Sequence, residues 1–168
     1  KNGFAVGGRP ASETESGQDA TATITLNNNS KVVVNNHNGM GLGYEAIGIM
    51  NIDATSTFET TQAFLVTAKG TMNNAGTVNI NSTLTNNGTI NFTGVDATLA
   101  TTTANLIVNL DFENSSAYQV VYENGKYSVV LIPTQEQHLV AGWNWYSSYL
   151  NITLNDLTNA LGDNGSYI

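Results

Sequence analysis

GTMNNAGTVNINSTLTNNGTINFTG, residues 70–94, says nearly the same thing several times over. Gly70-Thr71, Gly76-Thr77 and Gly88-Thr89 each open a six-residue phrase, and Ser82-Thr83 fills the missing beat. The third place is apolar every time: Met72, Val78, Leu84, Ile90. Val78-Asn79-Ile80 and Ile90-Asn91-Phe92 alternate apolar and polar with the period of two that sends one set of strand side chains to an interior. Six residues are then one short strand plus its corner, with glycines 70, 76, 88 and 94 at the corners, where a positive φ is easy without a side chain. Roughly four such phrases would make one coil of a stacked ribbon.

Sliding the chain against itself gives a longer offset of 26 residues without gaps. Leu26, Ile52, Val78 and Ala104 fall in one column, Val32, Phe58, Leu84 and Leu110 in a second, and Met40, Val66, Phe92 and Tyr118 in a third. Shorter columns pair Ile24 with Met50, Phe64 with Ile90 and Ile80 with Leu106. Polar columns accompany them: Asn27, Asp53, Asn79 and Asn105, and Ser30, Ser56 and Ser82. An offset of 18 pairs Met72 with Ile90 but loses register upstream of Phe64. The expectation is an all-β chain, a right-handed parallel β-helix with coils of about 26 residues, because irregular coils suit the right-handed crossover that parallel strands prefer. Stacked coils would place inward residues over one another about 4.8 Å apart, and asparagines in register would bond from coil to coil as a ladder.

Composition agrees with strands. In 168 residues there are 24 Asn and 22 Thr, while charged residues make up 11%. Thr fits a pleated surface and Asn fits turns, so neither favours helix. The net charge is −8, and the five basic residues, Lys1, Arg9, Lys31, Lys69 and Lys126, are scattered. Neutralising phosphates needs clustered Lys or Arg, so a nucleic-acid partner is not expected. No apolar run approaches the roughly 20 residues of a membrane span and no polybasic segment occurs, so no membrane insertion is expected. Cysteine is absent, which removes disulfides and thiolate chemistry. The chain starts at Lys1 without an apolar leader, which reads as a mature or trimmed product.

Both ends depart from the repeat. Residues 1–20 hold one apolar cluster, Phe4-Ala5-Val6, ahead of a Gly, Pro, Ser and Glu-rich run, and read as a lead-in or N-terminal cap. Residues 21–117 are the expected β-helix. Residues 118–133 read as a capping β-hairpin, since Asn124-Gly125 suits a turn in which both residues take positive φ, and Pro133 stops the second strand. From 134 onward the texture changes: a strand-like run from Leu139 to Leu150, then Thr153 and Asp156 as the capping box of a short helix, with Gly162 at its end. A small α+β module, cut short at Ile168, is the expectation.

HLVAGWNWYSSYL, followed by a Leu-spaced helix and GDNGSYI, resembles a module found towards the C-terminal part of large secreted and surface proteins of Bacteroidetes. Gly142, Trp143, Asn144 and Trp145 are its most specific part, and the resemblance implies that 134–168 is an incomplete Gly-Trp-Asn-Trp module. Residues 70–94 resemble the Gly-Thr-aliphatic-Asn repeats of filamentous-haemagglutinin and autotransporter-type adhesins. These resemblances imply an extracellular or cell-surface location and bring no catalytic residues with them.

Right-handed β-helices include polysaccharide lyases and hydrolases, so chemistry must be sought in the residues. Cleaving a glycosidic bond needs two flanking carboxylates. Asp111 and Glu113 would share one strand face, and Asp53 with Glu59 is a weaker pair; solubilising charge at a coil edge accounts for both more simply. His37 and His138 have neither metal-ligand spacing nor an evident nucleophile beside them, and Asp163-Asn164-Gly165 reads as a turn. No catalytic residue, metal site or cofactor is expected. Trp143, Trp145 and Tyr149 would share one strand face, opposite Tyr146, as a ligand-binding platform able to stack on sugar rings, although large aromatics more often fill cores. Seven Asn-x-Ser/Thr triplets, at Asn28, Asn81, Asn87, Asn91, Asn114, Asn151 and Asn164, follow from composition.

The function expected is a non-catalytic extracellular β-solenoid, a stalk or adhesin-like scaffold of a larger cell-surface or secreted protein. Its partners would be neighbouring segments of the parent protein, assembly subunits, or host or microbial glycans. A carbohydrate-binding or polysaccharide-cleaving β-helix, and a subunit of an extracellular assembly, are the alternatives.

Overall fold

The computed structural model describes residues 4–8, 20–35, 40–134 and 153. The chain divides into two compact units, Lys1–Leu131 and Ile132–Ile168, and almost all of the description concerns the first. That unit is a right-handed parallel β-helix with three sheets and three strands per coil.

The first sheet contains β1 (Phe4–Val6), β4 (Met40–Leu42), β7 (Phe64–Val66) and β10 (Leu84–Asn86). The second contains β2 (Thr21–Leu26), β5 (Ile47–Ile52), β8 (Gly70–Asn74), β11 (Thr89–Phe92) and β13 (Asn109–Leu110). The third contains β3 (Lys31–Val34), β6 (Thr57–Thr60), β9 (Thr77–Ile80), β12 (Thr98–Ala100), β15 (Lys126–Leu131) and β14 (Tyr118–Glu123). Every pairing is parallel except β12 with β15 and β14 with β15. The single helical turn described is 3-10, Ser115–Ala117. Phe4-Ala5-Val6, in the stretch expected as lead-in, is the first strand of the first sheet.

The constant 26-residue coil holds for one step and then fails. Thr21 lies over Ile47 and Lys31 over Thr57, 26 residues apart, so Leu26 stacks on Ile52, Ile24 on Met50 and Val32 on Phe58 as the columns require. The next steps are shorter. Asn51 meets Asn73 after 22 residues, Phe58 meets Val78, and Asn73 meets Asn91 after 18. Val78 therefore stacks on Phe58 rather than on Ile52, Leu84 on Phe64 rather than on Phe58, and Val66 on Leu42 and Asn86. The cause lies in the corners. Residues 27–30 and 53–56 turn the chain from the second sheet to the third in the first two coils, whereas 75–76 suffice in the next. Three hexads, rather than four, make the coil at 70–94: β8, β9, β10 and back to β11, with Met72 under Ile90.

Inward side chains form a continuous apolar column between the sheets. Met50, Met72 and Ile90 are buried in one stack, and Phe58, Val78 and Leu99 in another. Phe4, Phe58 and Phe64 bridge between sheets, with ring centroids 5.5 Å apart in each pair. Each such side chain contributes about 1.5–3 kcal/mol through removal from water, available only because a neighbouring coil covers it.

At Gly76 and Gly88 the glycine acts by size rather than by φ. Among the described glycines only Gly7, Gly43 and Gly125 have positive φ. A Cβ on Gly76 would overlap the carbonyl oxygens of Asp53 and Ser56, and one on Gly88 those of Thr67 and Gly70. The corner backbones of successive coils come that close. The corner at 27–30 takes positive φ with asparagine: Asn28 at 55° and Asn29 at 63°, a region that Asn tolerates better than most residues.

The hairpin forms as its turn requires, with Asn124 at φ 52° and Gly125 at 79°. It extends the third sheet sideways: β15 pairs antiparallel with β12 and sets Tyr127 over Leu99. The parallel edge of that sheet thereby ends.

Candidate functional site

The acidic pairs are not assembled as sites. Asp53 sits in the corner 53–56, where its carboxylate accepts from the Asn28 N–H at 2.8 Å, the Thr55 N–H at 2.9 Å and the Thr55 hydroxyl at 2.9 Å. Two further side chains of this corner serve the coil before it: the Asn29 N–H donates to Thr55 Oγ1 at 3.0 Å and the Ser30 N–H to Ser56 Oγ at 3.1 Å. Three successive amides of the NNNS corner, splayed outward by left-handed Asn28 and Asn29, are thus satisfied by side chains of the DATS corner. A hydrogen bond from Ser56, together with those from Asn28 and Thr55, lowers the Asp53 carboxyl to about 2. Its place is structural: it fastens one coil to the next. Glu59 lies on the third sheet and pairs with Lys31 at 3.0 Å.

Asp111 and Glu113 do not share a strand face. β13 ends at Leu110, the Asp111 N–H donates to the Phe92 carbonyl at 2.9 Å, and the chain then turns, so both acids stand exposed on irregular backbone. Among the described residues no three His, Cys, Asp or Glu side chains gather as a metal site, and no helix is long and apolar enough to cross a membrane. The aromatic set Trp143, Trp145 and Tyr149, with His37, His138, Asp163 and the stretch expected as a short C-terminal helix, lies outside the described residues.

Two features organise the surface. The first is a groove of about 560 Å³ at the C-terminal end of the β-helix, between the segment 105–110 and the hairpin. Leu106, Val108 and Leu110 alternate inward as in the earlier coils, and among the described residues no full coil covers them, so they are only partly buried. Tyr127 fixes this segment: its phenol accepts from the Leu106 N–H at 2.8 Å and donates to the Thr103 carbonyl at 3.1 Å. Tyr122 donates to the Thr101 carbonyl at 3.1 Å, and the two rings pack with centroids 4.5 Å apart. Both phenols are thus committed to backbone, and among the described residues no carboxylate or imidazole lines the groove. Its described lining offers mainly apolar contact.

The second feature is an asparagine ladder on the outer face of the second sheet. Asn73 Nδ2 donates to Asn51 Oδ1 at 2.9 Å, Asn91 to Asn73 at 2.9 Å, and Asn109 to Asn91 at 3.1 Å. The sequence points to a ladder, but in the column of Asn27, Asp53, Asn79 and Asn105. The shortening coils move it to Asn51, Asn73, Asn91 and Asn109. Of the serine column, Ser30 and Ser56 meet, whereas Ser82 instead accepts through its carbonyl from the Thr101 hydroxyl.

A different asparagine role escapes the repeat pattern. Asn74 and Asn86 each precede a glycine by two residues, and each side-chain oxygen accepts from that glycine's N–H, at 3.0 Å for Gly76 and 3.1 Å for Gly88. Their amide groups donate to carbonyls of the following coil, Thr98 and Ile107. The signal in the sequence is Asn-x-Gly, the footprint of a side chain closing its own turn.

No protein-family model, no curated protein and no solved structure matches this chain. The class follows from its own geometry: a parallel β-solenoid, of the general kind found among structural and adhesin-like repeat proteins.

Proposed function

We propose that this chain is a non-catalytic extracellular spacer, a β-solenoid stretch of a larger cell-surface or secreted protein that separates the segments on either side of it in the manner of an adhesin stalk. One observation carries the reading: an unbroken series of acidic and amide side chains along the stack joins coil to coil. Asp53 holds corner amides, Glu59 holds Lys31, and Asn51, Asn73, Asn91 and Asn109 hold one another. A stack whose polar groups are bonded along its axis resists extension, because pulling coils apart exposes both the apolar column and the ladder. Export is the location that the adhesin-like repeat and the C-terminal Gly-Trp-Asn-Trp stretch imply. Antibody labelling of intact producing cells tests this: label should bind without permeabilisation or appear in the medium, and label seen only after lysis defeats the reading.

A further inference from the structure

We infer that the outer face of the second sheet binds an uncharged, extended polysaccharide lying along the solenoid axis. This goes beyond the spacer role and stands or falls separately from it.

The face combines three properties. Its strands carry no charge: none of the five strands β2, β5, β8, β11 and β13 contains an ionisable residue, and the acids that follow β5 and β13, Asp53 and Asp111, stand at its edge, in a chain whose net charge is −8. A polyanion is repelled by the rest of the molecule, whereas an uncharged polymer meets no such field and need strip no ion of water on this face. The face is also pre-set. A side-chain amide has two N–H groups and an oxygen with two lone pairs. Asn73 and Asn91 each use one N–H and one lone pair inside the ladder, and each keeps one donor and one acceptor, held in place and half-exposed. Binding to them forgoes most of the rotamer entropy that a free Asn would lose. Finally, the face repeats. Successive rungs are about 4.8 Å apart, the spacing of neighbouring strands, comparable with the advance of one sugar in an extended β-linked chain, so one hydroxyl-bearing residue can address one rung.

Beside the ladder, two residues away along the strands, Thr71 lies against Thr89 in register. Their hydroxyls extend the hydrogen-bonding strip and their methyls offer contact to sugar C–H groups. An occupant of this chemistry needs hydroxyls at regular intervals, no charge and an extended shape, which together describe a neutral structural glycan rather than a folded protein.

Affinity electrophoresis of the intact chain decides the matter, with native gels containing hydroxyethyl cellulose, glucomannan or, as the charged probe, polygalacturonate. Retardation in at least one of the two uncharged gels, with none in polygalacturonate, is expected. Thr71→Glu with Thr89→Glu should weaken that retardation by about tenfold or more, since two carboxylates would have to lose water against the sugar. Thr77→Glu with Thr98→Glu, which places the same charges on the third sheet, should keep it, and circular dichroism should show both variants folded. No retardation in either uncharged gel, retardation by polygalacturonate alone, or equal retardation of the two folded carboxylate-bearing variants, one substituted on the second sheet and the other on the third, would each overturn the inference.

Discussion

Gly76 and Gly88 are corner residues at which a single methyl group is costly. Each lies where the corner backbone of one coil crosses carbonyl oxygens of the coil before it, and backbone cannot step aside as a side chain can. Gly76→Ala and Gly88→Ala should each lower stability by about 3 kcal/mol, the upper end of the range for overpacking, read as a fall in the urea midpoint with an unchanged slope. At Gly94 the nearest atom to an added Cβ is Ala75 Cβ at 3.3 Å, a slight crowding rather than a collision with a carbonyl oxygen, so Gly94→Ala should cost less than about 1 kcal/mol. Asp53 sets a second test at this scale. Its carboxyl is lowered from 3.8 to about 2 by its hydrogen bonds, so the unfolded chain takes up a proton before the folded one does. The stability it contributes is complete above 3.8 and is lost as pH falls from there through about 2. Urea midpoints followed over that range should fall with pH, and Asp53→Asn should flatten that fall; an equally steep fall in the variant would assign the acid sensitivity elsewhere.

At the scale of the strand, the asparagine ladder predicts unequal rungs. Asn73 donates to Asn51 and accepts from Asn91, whereas Asn109, at the end, makes one bond and stands exposed. With each bond contributing about 1 kcal/mol net, Asn73→Ala should cost about 2 kcal/mol and Asn109→Ala less than about 1, measured by chemical unfolding of both variants together. The ladder also shows what a sequence reveals and what it hides. Alternation in Val78-Asn79-Ile80 and Ile90-Asn91-Phe92 announces strands with one buried face, and their apolar residues are buried as expected. Asn124-Gly125 announces its hairpin. Register is legible only where corners have equal length, as NNNS and DATS do, because a fixed offset cannot follow a coil that shortens from 26 to 18 residues. Asn51 and Asn73 are therefore partners that no single period pairs. The acids at 111 and 113 mislead for a related reason: two residues apart means one face only if the backbone is still a strand, and β13 has already ended.

For the whole β-helix, burial is deepest in the middle and shallower toward both ends. Met50, Met72, Val78 and Ile90 have no exposed surface, while Ile24 and Val32 in the first coil and Leu106 and Val108 in the last are only partly covered. That gradient is what a stack of mutually dependent coils must show, since a terminal coil has one neighbour and an internal coil has two. It also makes the fold divisible in units of one coil and no smaller. Removing 71–88 joins Gly70 to Thr89, and because Thr71 lies against Thr89 and Met72 against Ile90, the remaining chain re-enters the stack in register, with β11 over β5 and β12 over β6. Such a deletion should fold cooperatively at a lower urea midpoint, having lost one layer of core and one rung of the ladder. Removing only 71–79, half as much chain, should fare worse: it returns the strands to the wrong sheets and turns the corner residues inward. Circular dichroism and unfolding of the two deletions decide between additive coils and a single indivisible core. If the shorter deletion folds as well as the longer, vertical stacking in register is not what holds this molecule together.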